Sequence, residues 1–260
     1  GRGTLIKDLI NISNKFPEYI KNLNISMFEI NKKLIKIQKK NLEKKNIIIK
    51  SLNWINNLDN LGTKNTVFIA NEFFDCLSIT QGFILDKKYF ENIIKFEKKQ
   101  KIFFFDKIKL RKNSIIAKKI QSVYNLNNLK EGNIVEIELE SEKYIKKIAK
   151  IMLKNKSLFI LIDYGNYNCS GISTIHSIKN HKKTSIFSDI GNQDLSHMLD
   201  FSYYVNIFKL MGLKVYGPYS QRNFFNSIGI NELKNKIIKK LSIKEKEYID
   251  SGVERILRKH

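Results

Sequence analysis

The chain has 260 residues, 42% hydrophobic and 11% aromatic, which suffices to bury a core and excludes a disordered polymer. Its 47 Lys and Arg against 25 Asp and Glu leave a net charge of +22, a balance that alone would suit nucleic acid or an anionic surface. The excess is nearly all Lys, is spread over the whole length and accompanies abundant Asn and Ile. That is the mark of an A/T-rich coding sequence, and it is read as a solvated surface rather than a basic stripe interleaved with aromatics.

No apolar run approaches the roughly 18 to 20 residues that span a bilayer, and the first residues lack the build of a signal peptide. Cys76 and Cys169 are far apart, with no CxxC or Cys/His spacing, so they read as ordinary thiols of a reducing compartment and no metal is expected. The first residue is Gly, inside what reads as a glycine loop. An incomplete chain is therefore expected, one that lacks the strand feeding that loop.

In chain order, Leu5, Leu9 and Ile12 share one helical face, which predicts a helix leaving Gly1-Arg2-Gly3 directly. Ile25 to Phe28 reads as a short strand ending at Glu29, followed by a helix with Leu34, Ile35 and Ile37 among Lys residues and Gln38 on a polar outer side. Ile47 to Ile49 is a candidate strand. Thr66 to Ala70, bounded by Gly62 and Asn71, is a clearer one. Short apolar runs separated by charged pairs from Gly82 to about Ile108 predict an antiparallel insertion. Beyond Ile134 to Ile137, a helix over Ser141 to Leu153 with Ser141 as N-cap is expected, then a buried strand from Leu158 to Ile162. The remainder reads as helical over Leu195 to Met211, Gln221 to Ile228 and Glu232 to Arg258, with a short strand at Val215.

Three features carry chemistry. Gly1 and Gly3 suit a turn where a cofactor must approach the backbone. Glu29, at the tip of the next strand about 20 to 25 residues after the glycines, suits a ribose diol, because a carboxylate accepts a bond from each hydroxyl. The third is Asn71-Glu72-Phe73-Phe74-Asp75, an apolar strand ending in polar residues around two aromatics. Neither a dinucleotide phosphate cradle nor a Walker Lys-Ser/Thr pair is present, so S-adenosylmethionine fits better than a phosphate-bearing cofactor. Asp163, Tyr164 and Gly165 read equally as site residues or as a turn in which Gly165 supplies positive φ. Asp194, His197 and Asp200 are read without a metal, Asp194 as a helix N-terminal residue. His176 and His181 are read as surface or core histidines.

The stretch ANEFFD followed by Cys76-Leu77-Ser78 is similar to the ANEFFDALP signature of the MidA-like methyltransferases, with Ser78 in place of the proline. GRGTL-x-x-DL resembles the end of that family's ELGPGRGTL loop, and Ile162-Asp163-Tyr164-Gly165 its IDYG. Gly191-x-x-Asp194-Leu195-Ser196-His197-x-x-Asp200-Phe201 resembles its G-x-x-DIT-x-HVDF, and Gln221-x-x-Phe224 its Q-x-x-FL. The family's terminal MG-x-LFKV strand does not follow His260. The resemblance implies S-adenosylmethionine-dependent methylation. Mitochondrial members assist assembly of respiratory complex I by dimethylating an arginine of a core subunit. Carried over, Gly1, Gly3, Glu29 and Asn71 would bind cofactor, while Asn71, Glu72 and Asp75 would line the transfer site. Paired acids also make independent sense for arginine, whose guanidinium stays protonated and must be held and aimed.

The fold expected is α/β, a Rossmann-like class I methyltransferase sheet with an antiparallel β insertion. Residues 1–81 would form the cofactor-binding part, 82–132 the insertion and 133–260 the remainder with the C-terminal helices. The expected partner is a protein substrate, with a complex I core subunit implied by the resemblance; nucleic acid is not expected and homodimerisation is left open. The compartment implied is the bacterial cytoplasm or the mitochondrial matrix. The rival readings are a non-catalytic assembly chaperone with a decayed cofactor site and a nucleic-acid methyltransferase.

Overall fold

The computed structural model describes residues 1–42, 49–61, 65–239 and 241–258. In chain order the elements begin with α1 (Thr4–Ser13), α2 (Pro17–Ile20), β1 (Asn24–Phe28), α3 (Lys32–Leu42), β2 (Ser51–Ile55) and β3 (Val67–Asn71). Next come β4 (Thr80–Leu85), β5 (Lys88–Glu97), β6 (Ile102–Lys109), α4 (Ile115–Asn127), β7 (Val135–Ile137), α5 (Leu139–Lys154) and β8 (Leu158–Ile162). The chain continues with β9 (Gly165–Asn166), β10 (His176–Lys179), β11 (Lys182–Thr184), β12 (Asp194–Ser196) and β13 (Leu199–Asp200). Four helices follow, α6 (Phe201–Leu210), α7 (Gln221–Ser227), α8 (Ile230–Ile238) and α9 (Ile243–Leu257).

These elements form two units, Gly1–Ile79 with Glu138–Asp163, and Thr80–Ile137 with Tyr164–His260. In the first, β1 pairs with β2 and β3 with β8, both in parallel, as an α/β sheet fed by crossover helices requires. Ile10 of α1, Ile20 of α2, Ile25 of β1 and Leu42 of α3 form one buried cluster. Leu58, Phe68 and Ile148 form another, with Phe28 and Tyr144 packed against it. The strand expected at Ile47 to Ile49 falls largely outside the described residues, as does Gly62; the described strand here is β2.

In the second unit, β6, β5, β4 and β7 form an antiparallel sheet in that order, the arrangement that the charged-pair spacing implied. The β4–β5 turn places Asp86 and Lys87 at φ 47° and 57°, the two left-handed residues of a tight hairpin, and both N–H groups donate to the Glu131 carboxylate. Gly82 is forced by packing: a Cβ there would lie 2.4 Å from Ile120 Cδ1 and 3.2 Å from the Phe90 carbonyl.

Several local expectations are corrected. Ser141 is not the N-cap of α5; the helix starts at Leu139 after Glu138, and Ser141 is buried inside its first turn. Asp194 begins no helix but lies in β12, and Asp200 caps α6 by accepting the N–H groups of Ser202 and Tyr203. The sequence 194–200 spends its residues on two short strands, β12 antiparallel to β10 and β13 parallel to β9. No strand forms at Val215, and the last predicted helix is two, broken around Leu241 and restarted by a Ser242–Glu245 capping box. Gly165 is extended rather than left-handed, and close approach explains it: a Cβ would sit 2.3 Å from the Leu199 carbonyl oxygen. Gly165→Ala should therefore lower stability by about 1–3 kcal/mol in urea unfolding. A loss below about 0.3 kcal/mol would mean that this approach is not tight.

Candidate active site

Gly3 adopts φ 83°, a conformation that costs a Cβ-bearing residue strain, and its carbonyl accepts the Lys7 N–H at 3.0 Å to start α1. A Cβ would meet Leu42 and Gln38 only at ordinary contact, 3.5 and 3.6 Å, so backbone conformation rather than crowding calls for glycine. Two amides of α3 hold this turn. Gln38 Nε2 donates to the Gly1 carbonyl at 2.7 Å and Asn41 Nδ2 to the Arg2 carbonyl at 3.0 Å.

Glu29 follows the last residue of β1, and its N–H donates to the Ile55 carbonyl, prolonging the pairing with β2. Its carboxylate accepts the Asn31 N–H at 2.9 Å on one oxygen and Gln38 Nε2 at 3.1 Å on the other. Asn31 in turn caps α3 through the N–H groups of Lys33 and Leu34. Each carboxylate oxygen has two lone pairs, so acceptor capacity remains on both for a pair of hydroxyls. Gln38, placed on a polar outer face by the sequence reading, is only 2% exposed. Its Oε1 accepts the Trp54 indole N–H at 2.8 Å. The available signal was its position four residues after Leu34 and four before Leu42, on the apolar stripe.

At the other tip, Asn71 ends β3 opposite Ile162 and is exposed. Glu72, also exposed, donates its N–H to the Ile162 carbonyl at 2.9 Å and turns the chain at φ 47°, a left-handed conformation uncommon for a residue with a Cβ. The next turn is clasped from β8: Asp163 Oδ2 accepts the N–H groups of Phe74 at 3.0 Å and Asp75 at 3.3 Å. Ser78 donates both N–H and Oγ to Glu140; a proline there would have no N–H to give. Asp75 is half-buried. Cys76 is exposed, and partial desolvation first, then the Asp75 and Asp163 carboxylates, push its thiol up from its ordinary value. Both cysteines are free, and burial raises Cys169 as well.

The two tips are joined by aromatic rings. Phe28, next to Glu29, meets Phe73, next to Glu72, edge-on at 5.8 Å, and Tyr144 packs against both at 5.5 and 5.7 Å. Phe74 is fully buried. The structure thus joins Gly1 and Glu29 through Gln38, with Gly3 in the same turn, and the Phe28–Phe73 contact links the strand end before Glu29 to the one that carries Asn71, Glu72 and Asp75, both at carboxyl ends of parallel strands, where open α/β sheets bind ligands. Asp163 is brought in as a clasp that sequence reasoning left undecided. His176 bonds Thr174 and Ser196, and His181 forms a hairpin turn at φ 61°. No group of three His, Cys, Asp or Glu among the described residues is placed to hold a metal, and no described helix is long and apolar enough to cross a membrane.

Replacing Asp163 by Ala removes the acceptor that Phe74 and Asp75 N–H share and should lower stability by about 1–3 kcal/mol in urea unfolding. A loss under about 0.5 kcal/mol would show that the clasp is dispensable.

Residues 1–219 match the family described as "Putative S-adenosyl-L-methionine-dependent methyltransferase". The chain is 25% identical over 257 residues to the mitochondrial protein arginine methyltransferase NDUFAF7 homolog of Caenorhabditis elegans, covering 92% of this chain and 58% of that protein. It is 22% identical over 252 residues to the human mitochondrial protein arginine methyltransferase NDUFAF7, covering 89% and 55%. It spans little more than half the length of these relatives. Among solved structures it superposes with a TM-score of 0.78 and 16% identity on a COG1565 superfamily member from Burkholderia thailandensis bound to S-adenosyl-homocysteine, covering 100% of this chain and 66% of that one. That likeness shows a shared fold, the class I methyltransferase fold. With the family match running through the glycine turn, Glu29, the Asn71–Asp75 tip and Asp163, the chain belongs to this family of S-adenosyl-L-methionine-dependent methyltransferases.

Proposed function

We propose that the protein transfers a methyl group from S-adenosylmethionine to an arginine side chain of a protein, and that the acceptor is a core subunit of respiratory complex I during its assembly. The observation that carries the reading is the pairing of an oriented acid, Glu29, with a second acidic tip, Glu72 and Asp75, across the Phe28–Phe73 contact. The names of the relatives support arginine as acceptor, and the complex I subunit rests on the resemblance of the ANEFFD stretch.

When bound, S-adenosylmethionine supplies a methyl group on a positively charged sulfur, ready for direct displacement. Glu29 would accept the two ribose hydroxyls, with the Gly1–Gly3 turn and Asn71 lining the remainder of the cofactor's surface. Glu72 and Asp75 would hold the guanidinium fork, aim one nitrogen along the line of displacement and offset its charge. A protonated guanidinium has no free nitrogen lone pair, so its proton must leave as the new C–N bond forms, and a nearby carboxylate eases that loss. In a chain of +22, acids gathered at the strand tips also give a local field that favours a cationic acceptor.

Glu29→Gln should weaken S-adenosylmethionine binding about tenfold or more in calorimetric titration. Affinity equal to that of the unmodified protein would remove Glu29 from the cofactor site. Glu72→Ala should leave that affinity within about twofold, while transfer of a labelled methyl group to an arginine peptide falls about a hundredfold. Retention of near wild-type transfer would contradict the role given to Glu72.

A further inference from the structure

Gln38 belongs neither to the glycine turn nor to a strand tip, yet it is the most enclosed polar side chain of the candidate site, at 2% exposure. Burying an amide without partners is costly, and this one has a partner for each N–H and one for its oxygen, an arrangement that fixes its orientation. The Trp54 indole N–H can only donate and points at Oε1; the Gly1 carbonyl and the Glu29 carboxylate can only accept and both face Nε2. Turning the amide over would place donor against donor and acceptor against acceptor. The side chain therefore has a single setting, and that setting binds the glycine turn and the acid to one rigid point on α3.

We propose that Gln38 is a positioning residue for the cofactor: through its amide it sets the rotamer of the Glu29 carboxylate and its distance from the Gly1–Gly3 turn, so that both ribose hydroxyls are met by an acceptor already in place. The proposal rests on the reading of Glu29 as the ribose acid. Its physical content is preorganisation. A carboxylate on a half-buried glutamate would otherwise sample several rotamers, and ordering it at the moment of binding would cost affinity. Asn31 fixes one oxygen of Glu29 from the backbone side, and Gln38 fixes the other from the helix. Trp54, the chain's one tryptophan, holds Gln38 from behind and carries Lys39 over its ring at 5.3 Å. The carboxylate, the amide and the indole form a chain of bonds reaching from the cofactor side into the core between β2 and α3.

The test is a double-mutant cycle read by calorimetric titration of S-adenosylhomocysteine into the full chain and into Glu29→Gln, Gln38→Met and the combined variant, with thermal melts run alongside. Gln38→Met keeps the buried volume and removes the amide. It should weaken binding about ten- to a hundredfold, and in the Glu29→Gln background it should weaken binding by less than about twofold, because a positioning residue has no effect without the group it positions. Gln38→Glu keeps length, planarity and the acceptor for Trp54, yet sets a second carboxylate against Glu29. This closest isostere should bind more weakly than the Met variant, the reverse of what packing alone predicts. Equal affinity of Gln38→Met and the unmodified chain overturns the proposal while leaving Glu29 in place. So does a combined loss equal to the sum of the single losses, which would make Gln38 a structural residue only. Absence of binding by the unmodified chain overturns the reading of Glu29 and the proposal with it. Should Gln38→Met fail to fold, Gln38→Glu decides alone, affinity at or above that of the unmodified chain overturning the proposal.

Discussion

Where parallel strands end, their backbone groups lose ladder partners, and buried or half-buried N–H groups must find acceptors elsewhere. At these strand tips the acceptors are carboxylates. Asp163 takes the N–H groups of Phe74 and Asp75 after β3, and Glu29 takes that of Asn31 between β1 and α3. The rest of the candidate site follows from this constraint. Once Asp163 holds the turn, the backbone at Glu72 can stay in its left-handed setting, and Phe74 is drawn fully into the core while Phe73 reaches Phe28. Acids that satisfy the backbone also leave carboxylates after β1 and β8, which is chemistry that suits the family's cationic cofactor.

Within this first unit, packing and polarity divide the work. Phe28, Phe73, Phe74 and Tyr144 meet edge to face and keep the two strand tips adjacent, an arrangement that aromatic quadrupoles favour. The polar groups at the two tips are carried by the strand ends that this apolar cluster joins. Gln38 extends the same logic below the glycine turn, where one amide serves a carbonyl, a carboxylate and an indole at once.

Much of this was legible in the residues. The α1 helix, β1 ending before Glu29, β3 and β8 were visible from apolar runs closed by polar or glycine residues, but the burial expected of β8 is not met: Leu158 and Ile162 are exposed and the three residues between them half-buried, so apolar character marked the strand without marking its burial. The antiparallel strands from Thr80 to Lys109 were visible from charged pairs at the turns. The residues around Asp194 and Gly165 were misread for a common reason: short strands of two or three residues carry too little periodicity to distinguish from helix or turn. The glycine at 165 is required by a carbonyl some thirty residues away in sequence, at Leu199, which no local pattern reveals. Gln38 was misplaced on an outer face because its residue type is usually solvated; its position on the helical stripe was the better guide. The clasp by Asp163 needed the parallel partner of β3 to be known first.

The role proposed for the glycine turn and Glu29 is to hold the adenosine end of S-adenosylmethionine at the carboxyl end of β1. The most direct measurement is calorimetric titration of S-adenosylmethionine into this chain, with S-adenosylhomocysteine and ATP as competitors. One saturable site that S-adenosylhomocysteine displaces and ATP does not is the predicted result. Absence of binding by a folded chain, or displacement by ATP as readily as by S-adenosylhomocysteine, would contradict it.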